Sequence, residues 1–115
     1  MKRILIYMFA GLLLGATFWG AESAKGNEYA QGKKLYSDKC QICHGVNGKG
    51  DGPAAGALSP KPANFTDPGF WQGNVDRKIT KTIEDGHGMM PSFDLKPAEI
   101  KDIIDYLANA FKPKS

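Results

Sequence analysis

The sequence has few of the residues on which common functional sites depend. Its 115 residues include two cysteines and two histidines, and its formal net charge is only +3. This weak positive balance gives no indication of a broadly basic surface for nucleic acid. There is no internal repeat, and a chain of this length predicts one domain. A single site is therefore expected, built from a small set of residues.

Long apolar runs are also missing, except at the beginning of the chain. Two basic residues open the sequence, an apolar run covers residues 4–20, and small residues follow up to residue 24. This order is typical of an export signal that is cleaved after Ser23. The alternative is an uncleaved membrane anchor, for which residues 4–20 reach only the short limit of length. The sequence predicts a signal peptide at residues 1–23 and a mature domain at 24–115, exported to a bacterial periplasm.

Both cysteines fall in one window, Cys40-Gln41-Ile42-Cys43-His44. At this spacing two thiols can add to the two vinyl groups of a porphyrin, and the adjacent imidazole becomes the proximal iron ligand. A disulfide between Cys40 and Cys43 is the competing interpretation for an exported chain. No strand-like run precedes Cys40 to favour a thioredoxin-like site, and no second ligand pair at suitable spacing favours structural zinc. The window therefore predicts one covalently bound haem c per chain.

Residues 86–93 contain three candidates for the second iron ligand: His87, Met89 and Met90. Pro91 biases Met90 toward extended backbone, and nearby glycines allow the loop to turn back across the haem face. These features favour Met90 as the distal ligand, with Met89 and His87 as alternatives. An iron with two strong protein ligands has no open position for substrate, which predicts an electron carrier and not an enzyme.

Three segments have helical patterns. Asn27 is a suitable N-cap for a helix over residues 28–39 that leads to the cysteines, and one face of this helix carries Tyr29, Gly32, Tyr36 and Cys40. A short helix is predicted over residues 76–85. Pro97 begins an amphipathic final helix with one apolar stripe. The sequence thus predicts an all-α fold of three to four short helices with long loops around one haem.

The remaining loops contribute glycine and aromatic residues. Five glycines lie within residues 45–56. They do not form a phosphate-binding loop, because no lysine followed by serine or threonine comes after them. We expect these glycines to let the main chain pass close to a flat cofactor edge. Three aromatic residues of a turn-rich segment, Phe65, Phe70 and Trp71, are predicted to line the haem pocket together with Phe93.

Residues 40–45, 50–55 and 88–93, ahead of an amphipathic final helix, together resemble the class I monohaem cytochromes c. The likeness covers nearly all of the mature chain. In that family the methionine directly before proline is the distal ligand, which implies Met90 here, while the doubled methionine keeps Met89 as an alternative.

The resemblance also implies two contacts. The first and last helices should cross, with Gly32 against Tyr106 or Leu107. A backbone carbonyl should accept the proton on Nδ1 of His44, which would fix the ring and strengthen its donation to iron. Pro53 is the position that matches this carbonyl in the family.

Together these features predict a monomeric carrier that passes single electrons between exported or membrane redox proteins through an exposed haem edge. Lys49, Lys61 and Lys81 are candidates for the charged rim of that edge. Two alternatives stay open. One is a membrane-anchored cytochrome subunit of an oxidase or reductase, and the other is a haem sensor or peroxidase-like protein with a labile distal ligand.

Overall fold

The computed structural model describes residues 22–115, and its helices account for all regular structure in that part of the chain. The elements in chain order are α1 (Glu22–Lys39), α2 (Gln41–His44), 3₁₀ turns at Ala55–Ala57 and Pro68–Trp71, α3 (Val75–Asp85) and α4 (Pro97–Ala110). The predicted all-α fold is confirmed. The proposed export signal or anchor lies almost wholly outside the described residues. Within residues 22–115, no helix has the length and apolar character needed to cross a membrane.

Two of the predicted helix boundaries differ from the structure. Helix α1 begins at Glu22 and not at residue 28, because residues 22–27 contain no proline and propagation adds one hydrogen bond per residue. Asn27 therefore lies inside α1. Helix α3 begins at Val75, one residue before its predicted start. The Asn74 side chain caps it by accepting a hydrogen bond from the Arg77 amide at 3.2 Å.

The core forms where α1 and α4 cross, with α3 packed alongside. The apolar stripe predicted for α4 is buried, and Ile103 is only 2% exposed. Tyr36 faces it from α1 with 1% exposure. The other buried core residues are Leu35, Phe65, Val75, Ile79, Ile83, Ile100, Ile104, Tyr106 and Leu107. Burial of this stripe fixes the position of α1, and α1 in turn positions the cysteine window at its end.

Gly32 lies at the point where α1 and α4 approach most closely. A β-carbon at this position would overlap the backbone carbonyl of Asp102 and lie 2.9 Å from the β-carbon of Tyr106. The predicted contact with Tyr106 is confirmed, and the carbonyl of Asp102 is an additional contact. Only glycine lets the two backbones come this close.

The glycine-rich loop of residues 45–56 packs against other parts of the protein. Gly48 has φ +68° and faces the ring of Phe111, while Gly50 has φ +75° and faces the carbonyl of Pro62. These glycines allow the loop to fold tightly behind α2, where the Gly52 amide donates to the Cys43 carbonyl at 3.0 Å. Their expected place at a cofactor edge stays a prediction.

Candidate functional site

Two adjoining cavities of about 220 and 540 Å³ lie between the end of α1, α2, the loop before Ala63, α3 and residues 86–93. Their walls are largely apolar. Eight residues line both of them: Cys40, His44, Pro60, Lys61, Ala63, Thr82, His87 and Met90. The shared lining makes them two parts of one recess that could accept a large, flat, apolar group.

The cysteine window faces this recess. The amide of His44 donates to the Cys40 carbonyl at 2.9 Å, so Cys40, Cys43 and His44 are held on one tight helical turn. All three line the first cavity, and both cysteines are partly buried free thiols. Burial raises the pKa of the Cys40 thiol to about 11, with Lys39 opposing and Cys43 adding to the shift. Thiols used in disulfide exchange have lowered pKa values, so this setting disfavours a thioredoxin-like site.

His44 is held in one orientation by two contacts. Its Nδ1 lies 3.2 Å from the carbonyl oxygen of Ala63, and its ring stacks on Phe65 at 4.7 Å between centroids. Burial lowers the pKa of His44, while the hydrogen bond to Ala63 opposes this shift. A neutral ring that donates from Nδ1 presents the lone pair of Nε2, which is the state a metal ligand requires.

The carbonyl partner of His44 was predicted at Pro53, and that prediction was wrong. Pro53 is exposed on the turn behind α2, where the next amide, of Ala54, donates to the Ile42 carbonyl at 2.9 Å. The acceptor is instead Ala63, whose segment runs along the recess. Pro60 and Pro62 restrict this segment to extended backbone. These two prolines were the available sequence signal for a segment that could run along the recess.

The three candidates for the second ligand occupy different positions in one loop. His87 and Met90 exchange backbone hydrogen bonds of 3.0 and 2.9 Å, which closes the loop between them. Met90 is partly buried and lines both cavities. Met89 is 59% exposed and lines only the first cavity. His87 lines both cavities but is exposed. Burial and position together favour Met90.

The loop that carries Met90 is also anchored at both ends. Gly86 has φ +76°, and a β-carbon there would lie 2.8 Å from the carbonyl oxygen of Met90. After the loop, the amide of Phe93 donates to the carbonyl of Ile83 in α3 at 2.8 Å. These contacts fix where the thioether of Met90 is presented.

The four aromatic residues predicted for the pocket have different positions. Phe65 lines the second cavity and Phe93 lines the first. Trp71 lines neither, which departs from the prediction. Its indole Nε1 donates to the carbonyl of Phe65 at 2.7 Å, so it holds in place the residue on which His44 stacks. Phe70, adjacent to it in sequence and also predicted for the pocket, lines the second cavity.

Tyr36 is a lining residue to which the sequence gave no role in the site. Its hydroxyl donates to the Gly45 carbonyl at 2.6 Å, immediately after His44, and its ring lines the second cavity. Burial, followed by the effect of Cys40, raises the pKa of this hydroxyl. The available signal was its place on the face of α1 that ends at Cys40.

The donor set fits a haem. Two thiols and an oriented imidazole lie at one wall of an apolar recess, and a thioether lies in the loop that lines both of its parts. An all-α frame with this arrangement defines a c-type haem protein. The family model described as cytochrome c matches residues 29–111, and the chain belongs to that family. Its cofactor is therefore covalently bound haem c, and its general role is electron transfer.

Two curated relatives are named cbb3-type cytochrome c oxidase subunit FixP. They come from Bradyrhizobium sp. strain ORS 278 and Bradyrhizobium diazoefficiens. Each is 33% identical over 91 residues, which covers 76% of this chain and 29% of the relative. The chain therefore spans less than a third of the length of these relatives. No solved structure matches it.

Proposed function

We propose that this protein is a one-electron carrier in which haem c is joined to Cys40 and Cys43 and its iron is ligated by His44 and Met90. The observation that carries this proposal is that His44 and Met90 line the same joined cavities from separate elements, α2 and the loop after α3. When bound, the haem supplies a reversible one-electron couple. Two protein ligands leave the iron no position for substrate, which fits a carrier and not an enzyme.

The chain contributes by holding its ligands still. Nδ1 of His44 donates to Ala63, and this bond keeps Nε2 directed into the recess. Met90 is restrained by its pairing with His87 and by the proline that follows. Ligands that keep the same positions in both oxidation states reduce the rearrangement that accompanies each electron transfer.

The test compares Met90→Ala with Met89→Ala. Both changes remove a thioether from one loop, so Met89→Ala is a matched control. The ferric wild-type protein should show the methionine-to-iron charge-transfer band, and only Met90→Ala should lose it while keeping the covalent haem mass. Loss of the band in Met89→Ala alone would move the ligand to Met89. Absence of the band from the wild-type protein, with a ferric spectrum that neither variant changes, would favour His87, which His87→Ala would then test.

The same samples test the sensor or peroxidase-like alternative. Reduced wild-type protein should fail to bind carbon monoxide at neutral pH, because Met90 occupies the distal position. The Met90→Ala variant should bind it. Binding by the wild-type protein would support a labile distal ligand and contradict the carrier function.

We further propose that residues 1–23 are a cleaved export signal and that residues 24–115 form the mature protein in a bacterial periplasm. The basic start, apolar run and small residues at the end of this segment support the proposal. The intact mass of the purified protein should equal that of residues 24–115 plus one haem. A mass that includes residues 4–20, together with recovery in the membrane fraction, would instead support an anchored subunit.

The names of the two relatives favour a terminal oxidase as the electron acceptor, and we propose one for this monomeric carrier. The chemically reduced protein should be reoxidised by membranes that contain a cbb3-type oxidase. Membranes from a strain that lacks this oxidase are the control. Equal reoxidation rates with both membranes would contradict the proposed acceptor.

A further inference from the structure

The charged side chains that line the two cavities are all lysines. Lys39 and Lys61 line the first cavity, and Lys61 and Lys78 line the second. No aspartate or glutamate of residues 22–115 lines either one. Asp76 and Asp85 lie on the same helix as Lys78 without reaching the recess. The recess therefore has cationic side chains with no carboxylate to balance them.

Elsewhere in the described part of the chain, some helical lysines are paired with carboxylates one turn away. Three such pairs are present: Lys34–Asp38, Lys81–Asp85 and Lys101–Asp105. Neither Lys61 nor Lys78 belongs to any of these pairs. The two lysines at the second cavity are thus available to an anion from outside the protein chain.

Lys78 is held at this cavity by aromatic contacts. Its Nζ lies 4.4 Å from the centroid of the Phe70 ring, a favourable cation–π distance. Phe70 in turn meets Phe65 edge to face at 5.0 Å, and Phe65 stacks on His44. One continuous aromatic wall therefore links the lysine to the imidazole. Lys61 belongs to a different wall, the segment whose Ala63 carbonyl accepts from His44.

Haem c carries two propionate carboxylates on a part of its ring edge that is separate from its thioether bonds. A carboxylate placed against apolar walls needs a cationic partner to offset its loss of hydration. Resting on the haem attachment proposed above, we propose that Lys61 and Lys78 bind the haem propionates. Both lysines line the second cavity, and Cys43 lines only the first.

This pairing has a consequence for the redox couple. Reduction adds one negative charge at the iron, and nearby unpaired carboxylates oppose it. Lysines that neutralise the propionates therefore stabilise the ferrous state and raise the midpoint potential. Lys61 and Lys78 are both exposed, so salt should screen part of their effect on the potential.

The experiment measures the midpoint potentials of Lys61→Gln, Lys78→Gln and Lys81→Gln by spectroelectrochemistry, at low salt and at about 1 M salt, where the Debye length is about 3 Å. Lys81→Gln is the matched control, because Lys81 lies on the same helix and is paired with Asp85. We expect Lys61→Gln and Lys78→Gln to lower the ratio of reduced to oxidised protein about threefold to tenfold at a fixed potential and low salt, with a smaller effect at about 1 M salt. A tenfold change corresponds to about 59 mV for one electron. Lys78→Arg should restore the wild-type value.

Two results would overturn the propionate assignment. One is a midpoint potential in Lys61→Gln and Lys78→Gln that matches Lys81→Gln, and the other is a midpoint potential in Lys78→Arg that stays at the Lys78→Gln value. The absorption spectrum separates this failure from failure of the proposed function. A spectrum that keeps covalent haem and the methionine band while the potential is unchanged contradicts only the lysine assignment. Absence of haem or of the band in the wild-type protein contradicts the proposed carrier.

Discussion

Replacing Gly32 by alanine tests the helix crossing on which the whole site depends. A β-carbon at this position would overlap the Asp102 carbonyl of α4 and crowd Tyr106. The overlapping atom belongs to helix backbone, so it cannot move aside as the end of a flexible side chain could. Forcing an extra carbon into a packed interior typically costs about 1–3 kcal/mol. Alanine is also up to about 1 kcal/mol more favourable than glycine within a helix, and this gain offsets part of the packing cost in the measured stability.

Gly26 provides the matched control on the same helix. A β-carbon there has no atom within 4 Å outside its immediate neighbours. Gly26→Ala should therefore keep or slightly increase stability, while Gly32→Ala should be less stable than Gly26→Ala by about 1–3 kcal/mol. For a domain of this size each kcal/mol shifts Tm by about 4–8 °C.

The assay is thermal unfolding of the haem-loaded variants, followed by far-UV circular dichroism and by the absorption of the haem. Both signals should shift together, because movement of α1 displaces Cys40 at its end. Equal Tm values for Gly32→Ala and Gly26→Ala would refute the close crossing of α1 and α4. A lower Tm in Gly26→Ala alone would do the same.

Two further substitutions probe the core and the residue behind the cysteine window. Leu107→Ala should lower the free energy of unfolding by about 2–5 kcal/mol, because Leu107 is 2% exposed; an unchanged urea midpoint would place α4 outside the core. Tyr36→Phe should cost about 1 kcal/mol at pH 7 through the lost hydrogen bond to Gly45. Burial raises the pKa of Tyr36, so the folded state keeps a proton that the unfolded state releases near pH 10, and wild-type stability should fall above that pH. The fall in stability should be smaller in Tyr36→Phe. Equal losses of unfolding free energy in wild type and variant between pH 9 and 11 would contradict the raised pKa of Tyr36.

The helices could be predicted because their signals are local. Pro97 and the apolar spacing after it located α4, and the structure places its first residue there. Asn74 was not identified as a cap, although it lies one residue before the observed start of α3. Helix α1 begins earlier than predicted because Asn27 resembles a cap, and a cap-forming residue can equally lie inside a helix whose preceding residues permit propagation.

The contacts between distant segments were predicted less well. Gly32 was correctly assigned to a helix crossing through the resemblance, but the sequence does not reveal which backbone atom it meets. Trp71 was expected in the pocket because of its size and neighbours, yet its indole N–H requires an acceptor when partly buried and finds it in the Phe65 carbonyl. That bond turns the ring away from the recess. The lysines around the recess could not be separated from other lysines by sequence alone.

The sequence by itself determined the chemistry of this protein, because attachment of haem c requires two thiols and an imidazole at fixed spacing on one turn, and five consecutive residues provide it. It also determined the helices, whose caps and periodicity act over a few residues. Only the tertiary structure decided that Ala63 and not Pro53 orients His44, and that Met90 is more enclosed than Met89. It also decided that no carboxylate of residues 22–115 lines the recess beside its lysines. Those outcomes depend on how segments far apart in sequence meet once the α1–α4 core is buried. Because the hydrophobic effect is non-directional, the residues near one position do not show which distant segment will pack against it.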